Sequence, residues 1–267
     1  MKQISILGCG WLGLPLAKAL IADGHAVKGS TTTIEKEIIL AEAQIQPYSI
    51  QLSESGITGP ISNFLDGSTT LLIDIPPKLR STESENFVAK INQLIPFIEQ
   101  STIENVLFIS STSVFNDLQG LVTKDTVPEP DTESGKQLWE TEQLLHCNTL
   151  FKTTVLRFGG LIGGNRHPIH FLSGRQQVPN PDTPVNLIHL EDCIGIIKTI
   201  LKNNLWAQTW NAAAPAHPSR KEYYNQKALE FDLAPPQFVN EGGSDQKIIG
   251  TDELQSILKY TFAQPNL

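Results

Sequence analysis

Short apolar runs alternate with longer segments of helical periodicity along most of the chain. Seven runs have the length and composition of buried strands, and they cover residues 3–8, 25–30, 48–52, 69–75, 105–110, 153–159 and 209–213. The helical patterns cover residues 12–23, 32–43, 83–100, 133–147 and 189–202. Strands that alternate with helices predict a parallel sheet with crossover helices on its faces.

Two segments interrupt this alternation. Residues 164–185 and 214–250 are rich in Pro, Gly and His and have weaker periodicity. Within the second, Ser219 and Glu222 form the pattern of a capping box, as do Thr32 and Glu35 near the start of the chain. We therefore predict a doubly wound α/β domain with a small lobe that is built from two separate stretches.

Composition narrows the function classes. The 267 residues carry 20 Lys and Arg against 28 Asp and Glu, a net charge of −8, and 40% of them are hydrophobic. This balance excludes a disordered chain. An acidic surface also repels phosphate backbones, so no nucleic-acid partner is expected. To bind a phosphate group, this acidic chain would need backbone amides or a few arginines at the binding site.

The expected cellular location follows from sequence patterns that are not found in the chain. Its three cysteines, Cys9, Cys147 and Cys193, form no C-x-x-C pair, which argues against a disulfide framework and a zinc site. The N-terminal residues have no signal-peptide pattern, and no apolar run reaches eighteen residues. A cytoplasmic protein without a membrane partner is expected. The sequence is silent on oligomeric state.

The strongest local motif is Gly8-Cys9-Gly10-Trp11-Leu12-Gly13, which follows the first strand and opens the first helix. This is the context of a dinucleotide-binding fingerprint. Gly8 would allow the tight turn, Gly10 the approach of a pyrophosphate, and Gly13 close packing of helix on strand. The backbone amides of the helix N-terminus, including those of Trp11 and Leu12, would face the phosphates. The alternative is a glycine-rich turn that no longer binds a ligand.

The residues after the second strand bear on which dinucleotide is bound. NAD usually meets an acidic residue about 20 positions after the fingerprint, but this segment reads Lys28, Gly29, Ser30, Thr31 and Thr32. Hydroxyls beside a lysine suit a 2′-phosphate better than a ribose diol. NADP is therefore favoured over NAD, with the alternative that Thr31 to Thr33 only cap the next helix.

Three motifs together resemble the extended short-chain dehydrogenases/reductases. They are the fingerprint, Ser110-Ser111-Thr112-Ser113-Val114-Phe115, and Asn186-Leu187-Ile188-His189-Leu190-Glu191-Asp192. Residues 163–168 (GGNRHP) and 211–218 (NAAAPAHP) are similar to the atypical YeeZ-type members, which are usually described as NAD(P)-dependent epimerase/dehydratase-like.

The resemblance implies an α/β fold, a Rossmann-type doubly wound parallel sheet with a small discontinuous C-terminal substrate lobe. Residues 1–163 would be the NAD(P)-binding domain and residues 164–267 the lobe, with 186–213 returning to the Rossmann core. It also implies that Ile75, Pro76 and Ser110 contact the cofactor.

The catalytic residues of that family do not carry over completely. Typical members use a Ser or Thr after the fifth strand and a Tyr-x-x-x-Lys pair on the next helix. Ser111 matches the first position, whereas Ser134 stands at the Tyr position and Leu138 at the Lys position. Serine is a far weaker acid than a phenol, and leucine has no charge. A register slip would recruit Lys136 but still no phenol.

Other candidates are arginines and histidines outside the fingerprint. Arg157, Arg166, His167 and Arg175 are predicted near the mouth of a cleft, where Arg166, His167 and Arg175 could bind an anionic substrate group. The alternative is loop residues paired with neighbouring acids.

Three further patterns favour structure over chemistry. His189 and Asp192 could form an acid/base pair, but packing against the core is the preferred interpretation. Tyr223-x-x-x-Lys227 lies beyond the seventh strand, where the context for catalysis is wrong. The nearest approach to a metal-ligand spacing is His167-x-x-His170, and no metal is expected.

Two functions stay open at this point. The first is an NADP-linked oxidoreductase or epimerase-like enzyme that acts, without a tyrosine acid, on an unidentified small molecule such as an anionic metabolite or a nucleotide sugar. The second is a non-catalytic protein that binds NADP(H) or a metabolite as a sensor or regulator.

Overall fold

The computed structural model describes residues 2–77, 85–239 and 246–267. Its centre is a sheet of seven strands, all parallel, which confirms the predicted fold class. The strands are β1 (Gln3–Leu7), β2 (Ala26–Thr31), β3 (Gln46–Ser49), β4 (Thr70–Ile73), β5 (Asn105–Ser111), β6 (Lys152–Phe158) and β7 (Thr209–Ala212). Their spatial order is β7-β6-β5-β4-β1-β2-β3. The order reverses between β1 and β4, which is where doubly wound sheets bind ligands.

Helices connect the strands and cover both faces of the sheet. They are α1 (Gly13–Ala22), α2 (Ile34–Glu42), α3 (Ile61–Leu65), α4 (Phe87–Glu99), α5 (Glu133–His146), α6 (Ile169–Leu172), α7 (Leu190–Asn203), α8 (Arg220–Glu230) and α9 (Asp252–Ser256). Side chains alternate across each strand, so Ile4 and Ile6 pack with α1 and α7 while Leu7 packs with α3 and α4.

Three short two-stranded pairings lie outside the large sheet. Gly160–Ile162 pairs with Leu187–His189, Leu121–Val122 with Ile248–Ile249, and Gln51–Ser53 with Gly56–Thr58. The third predicted strand, at 48–52, is therefore wrong in its bounds. The chain leaves the large sheet after Ser49 and enters the small hairpin at Gln51.

A separate apolar cluster holds the lobe together. Its buried members are Ile162, Ile169, Val185, Leu187, Tyr223, Tyr224 and Ala228. Near the C-terminus, by contrast, Leu254, Leu258 and Phe262 pack in the same cluster as α1 and α7. The division into residues 1–163 and 164–267 stays a prediction. The chain from 248 onward contributes side chains to the core of the large sheet.

The two predicted capping boxes have different outcomes. At α8, Ser219 accepts from the Glu222 amide and the Glu222 carboxylate accepts from the Ser219 amide, so that box is confirmed. At α2 the prediction is wrong, because the N-cap is Thr33 and Glu35 is therefore the second helical residue. The Thr33 side chain makes no capping hydrogen bond.

We expect the Ser219→Ala substitution to lower the free energy of unfolding by about 1 kcal/mol, because one amide of α8 loses its side-chain acceptor. For a chain of this size the melting temperature should fall by about 2–4 °C. Thermal melts followed by circular dichroism check this. Thr33→Ala is the matched control, since it removes an N-cap threonine without a capping bond. Equal shifts in the two variants would contradict the assignment.

Among the described residues, no helix combines the length and the apolar character that a bilayer crossing requires.

Candidate functional site: the fingerprint turn and its surroundings

The turn between β1 and α1 is shaped by its three glycines. Gly8 has φ +108°, and a Cβ there would lie 2.3 Å from the Asp74 carbonyl oxygen. A Cβ at Gly13 would lie 2.2 Å from the Gly8 carbonyl oxygen. At Gly10, in contrast, an added Cβ would meet no heavy atom within 4 Å. Gly8 and Gly13 are thus needed for packing, whereas Gly10 leaves open space beside the turn.

Hydrogen bonds fix this turn to the end of β2. The Gly8 amide donates to the Ser30 hydroxyl at 2.9 Å, and the Cys9 amide donates to the Ser30 carbonyl at 2.9 Å. Leu12 occupies the N-cap of α1 and supplies no side-chain cap. The positive end of the helix dipole therefore lies at the turn, where it favours an anion.

Asp74, directly after β4, lies beneath the turn and was missed by the sequence analysis. Burial raises the pKa of its carboxyl to about 7, although the Gly13 amide and the Arg166 guanidinium act in the opposite direction. The carboxyl accepts a hydrogen bond from that amide. The signal that could have found it is an acidic residue at the carboxyl end of the strand beside β1.

Ile75 and Pro76 continue the chain from Asp74. Ile75 is half-buried, and its Cγ2 would lie 3.0 Å from a Cβ at Gly8. Pro76 is exposed. The structure therefore brings Ile75 next to the fingerprint turn, while the cofactor contact assigned to both residues stays a prediction.

The hydroxyl side chains at the end of β2 and the side chain of Lys28 lie in different surroundings. Ser30 and Thr31 are buried at the end of the strand, and Thr32 is exposed. The Lys28 ammonium donates to the carbonyl oxygens of Asn63 (2.8 Å) and Asp66 (2.6 Å). The expectation that Lys28 stands beside the hydroxyls is therefore wrong, because its side chain leaves the strand toward the chain around α3.

Two serines end β5 and have distinct partners. The Ser111 hydroxyl accepts from the Ser113 amide at 3.1 Å and starts the short 3₁₀ helix Thr112–Val114. The Ser110 hydroxyl donates to the Glu142 carboxylate at 2.5 Å. Ser111 is half-buried, whereas Ser110 is buried. Of the two, Ser111 is the more accessible.

Glu142 forms a buried ion pair with Arg157, the distance from Nη2 to Oε2 being 2.6 Å. The guanidinium also lies 5.1 Å from the Phe115 ring centroid and 5.3 Å from that of Trp139. The placement of Arg157 at the mouth of a cleft is therefore wrong. On β6, Arg157 is in register with Ser110 of β5, and its buried side chain contacts Glu142 of α5.

Helix α5 lies where the family places its Tyr and Lys. Leu138 is 3% exposed and belongs to the core cluster, Ser134 is half-buried, and Lys136 is exposed. A Cβ at Gly135 would lie 2.2 Å from the Ser113 carbonyl oxygen, so α5 packs closely on the segment after Ser111.

The tyrosines lie elsewhere. Tyr48 is in β3, Tyr223 and Tyr224 are in α8, and Tyr260 lies near the C-terminus. α5 itself contains no tyrosine.

The predicted substrate residues have unlike environments. Arg166 is exposed, and its guanidinium carbon lies 5.0 Å from the centroid of the Trp11 ring, within the fingerprint. His167 is buried, with Nε2 2.8 Å from the Tyr223 hydroxyl oxygen and Nδ1 accepting from the Ile169 amide. Burial, with Lys227 and His170, lowers the pKa of His167 to about 4. Arg175 is exposed.

The structure separates the roles of His189 and Asp192. The His189 Nδ1 accepts from the Glu191 amide at 3.3 Å, so His189 caps α7. Asp192 is fully buried and accepts from the Tyr260 hydroxyl and from the amides of Ala263 and Gln264. The preferred interpretation, packing against the core, is confirmed, and the acid/base pair is not formed.

Tyr223 and Lys227 lie within the lobe. Tyr223 is buried, and Lys227 pairs with Glu230 at 2.7 Å while lying 5.7 Å from the Tyr223 ring centroid. Burial, with Tyr224 and Glu230, raises the pKa of the phenol. Helix α8 thus buries one face in the lobe.

Comparison with known sequences identifies one close group. No sequence-family profile matches the chain. Protein YeeZ of Escherichia coli K12 is 35% identical over 270 residues, which cover 100% of this chain and 97% of YeeZ.

Solved structures with lower identity share the fold. A functionally unknown conserved protein from Silicibacter pomeroyi superposes with a TM-score of 0.80 at 20% identity, covering 100% of this chain and 95% of that one. UDP-glucuronic acid 4-epimerase from Bacillus cereus, in complex with UDP-glucuronic acid and NAD, superposes with a TM-score of 0.77 at 17% identity, covering 97% and 93%.

Proposed function

Because this chain belongs to the YeeZ family, whose fold is that of the NAD-dependent epimerases, we propose that it binds NAD(P) and acts as an epimerase-like oxidoreductase. We propose NADP as the preferred cofactor, and an anionic metabolite such as a nucleotide sugar as the substrate. The proton would be moved without the Tyr-x-x-x-Lys pair.

The open space at Gly10 is the observation that carries this proposal. A dinucleotide needs its pyrophosphate to approach the backbone at the N-terminus of the first helix. Here Gly8 and Gly13 are required by packing, but nothing in the described protein requires a missing side chain at Gly10. The turn and the amides of α1 could hold the pyrophosphate. The Bacillus cereus epimerase, which has a related fold, was solved in complex with NAD.

The preference for NADP is supported at the end of β2. No acidic side chain occupies the positions that usually bind a ribose diol, while Thr32 is exposed beside the N-terminus of α2. That helix begins without a side-chain cap. A 2′-phosphate would be favoured by its free amides and by the threonine hydroxyls.

Bound at this site, a nicotinamide cofactor supplies the hydride chemistry. Ser111 would hold the substrate oxygen, because its half-buried hydroxyl lies at the carboxyl end of β5. A water or a group from the lobe would supply the proton. Arg175, exposed on the lobe, would bind an anionic group of the substrate.

A non-catalytic sensor of NADP(H) or a metabolite is the second candidate. The observation that favours it is Leu138, which is in the apolar core at the position that the family resemblance assigns to the lysine. A protein that only binds the cofactor needs the fingerprint and the lobe but no proton donor.

Titration of the purified protein with NADPH and with NADH, followed by nicotinamide fluorescence, tests the cofactor proposal. We expect NADPH to bind at least tenfold more tightly than NADH. Failure of both to bind below about 1 mM, equivalent to about −4 kcal/mol, would refute dinucleotide binding.

Turnover separates the two candidates. NADPH oxidation and epimerisation are measured with a panel of carbonyl compounds and nucleotide sugars. If turnover is found, Ser111→Ala should reduce kcat by at least tenfold with little change in NADPH affinity. Tight NADPH binding without turnover of any compound would favour the sensor.

A further inference from the structure

We propose that Arg166 binds the pyrophosphate of the dinucleotide, so that it belongs to the cofactor site and not to the substrate site. This inference rests on the proposed function, since it names a cofactor ligand outside the fingerprint. The observation behind it is the position of the Arg166 guanidinium over the ring of Trp11.

The backbone around Arg166 is held in a defined turn. The amide and carbonyl groups of Gly163 and Arg166 hydrogen-bond to each other in both directions, at 3.0 and 3.1 Å. Gly163 (φ +127°) and Gly164 (φ +59°) have positive φ, and a Cβ at Gly163 would lie 2.8 Å from the His189 Nε2. The turn therefore packs on the start of α7, and Arg166 leaves it from a fixed point.

From that point the guanidinium reaches the fingerprint. Trp11 stands between Gly10 and the N-cap of α1, so the guanidinium on its ring lies against a side chain of the fingerprint itself. The guanidinium also acts on Asp74, lowering the pKa of the carboxyl beneath the same turn. The contact with Trp11 thus places the positive charge at the fingerprint, and the effect on Asp74 agrees with that position.

The guanidinium is suited to a phosphate ligand. Stacking on an indole occupies one face of the planar group and leaves its N–H donors, which lie in the plane, free for bidentate contacts. Within residues 2–77, 85–239 and 246–267, Arg166 forms no ion pair. Its side chain is exposed, so a dinucleotide on the turn could be reached without unfolding any element.

In this geometry the pyrophosphate is bound from two directions. The amides of α1 approach the pyrophosphate from one element, and Arg166 approaches from the turn that leads from β6 into the lobe. Arg220 differs in its surroundings: it opens α8, and its Nη1 donates to the Pro179 carbonyl oxygen at 3.1 Å. It has no assigned role in binding and is therefore the arginine for a control variant.

ADP-ribose is the probe for the pyrophosphate contact, and its displacement by NADPH separates the cofactor site from a substrate site. It contains the adenosine and the pyrophosphate of the cofactor but not the nicotinamide. Its Kd is measured by calorimetry, with and without NADPH, for the wild-type protein, Arg166→Gln, Arg166→Lys and Arg220→Gln, and folding is checked by thermal melts.

We expect Arg166→Gln to weaken ADP-ribose binding by roughly tenfold to a hundredfold, because a charged donor to the pyrophosphate is lost. Arg166→Lys should recover part of the affinity, since it keeps the charge but not the bidentate geometry. Arg220→Gln should bind ADP-ribose as the wild type does.

The outcomes distinguish this inference from the proposed function. If the wild type binds ADP-ribose and Arg166→Gln binds it equally well, the inference is wrong and the cofactor proposal stands. An equal loss in Arg220→Gln would also overturn it, because the effect would then come from general charge. If the wild type binds neither ADP-ribose nor NADPH, the proposed function itself fails.

Discussion

Gly10→Ala should weaken NADPH binding by roughly tenfold to a hundredfold while the protein keeps its fold. The added methyl group would enter the space beside the fingerprint turn, where no protein atom lies within 4 Å. A pyrophosphate that must approach the backbone there would be displaced, at a cost of about 1–3 kcal/mol. Fluorescence titration measures the affinity, and a thermal melt measures the fold.

Gly8→Ala is the contrasting variant for this prediction. Its methyl group would meet the Asp74 carbonyl oxygen at 2.3 Å, in a backbone conformation with φ +108°. We expect it to lower the free energy of unfolding by about 3 kcal/mol. A Gly10→Ala protein that binds NADPH normally would refute the assignment of this space to the cofactor, and one that melts as early as Gly8→Ala would show that the space is structural.

Asp74→Asn should stabilise the protein above pH 7 and have little effect near pH 4. Burial raises the pKa of the Asp74 carboxyl from 3.8 to about 7, so the folded state holds a proton that the unfolded state has released over this range. The stability contributed by that proton is complete below about pH 4 and is lost as the pH rises to about 7. At about 1.4 kcal/mol per pKa unit, the difference at pH 8 is up to about 4 kcal/mol.

Denaturant unfolding at pH 5 and pH 8 measures this effect. The difference between variant and wild type isolates Asp74, because both proteins contain the same histidines. Asp131→Asn, at an exposed position, is the control and should show no pH-dependent difference. The prediction is contradicted if Asp74→Asn gains no more stability at pH 8 than at pH 5.

The same carboxyl should couple proton uptake to cofactor binding. Since it lies beneath the fingerprint turn, its negative charge opposes a pyrophosphate above the turn. ADP-ribose should therefore bind more weakly to the wild type at pH 8 than at pH 6, and this difference should be smaller in Asp74→Asn.

Most of the sheet could be predicted from local pattern, because strands such as β1, β4 and β5 are short runs of mostly apolar residues. The predicted bounds were wrong where pairing with another part of the chain sets the end of an element. β3 ends at Ser49 because the next residues form a hairpin with Gly56–Thr58, and no local signal marks that division. The two capping boxes show the same limit, since Glu35 has the right spacing from Thr32 but the helix begins one residue later.

The site was predictable where backbone conformation is fixed by residue type, as at Gly8 and Gly13. It was less predictable for long side chains. Lys28 and Arg157 looked available for anions, yet Lys28 donates to carbonyl groups near α3 and Arg157 pairs with Glu142. The direction of a side chain on a strand depends on which face the neighbouring helices cover, and that is a property of the whole fold.

The buried leucine of α5 determines how many substitutions a Tyr-x-x-x-Lys pair would require in this chain. On the register that the family resemblance implies, Ser134→Tyr alone would supply a phenol without a cation to lower its pKa. Leu138→Lys alone would place an ammonium in the core cluster that contains Phe108 and Val155, at a cost in stability. Neither change is useful without the other, so this core would have to accept two substitutions together before the chain could carry a Tyr-x-x-x-Lys pair.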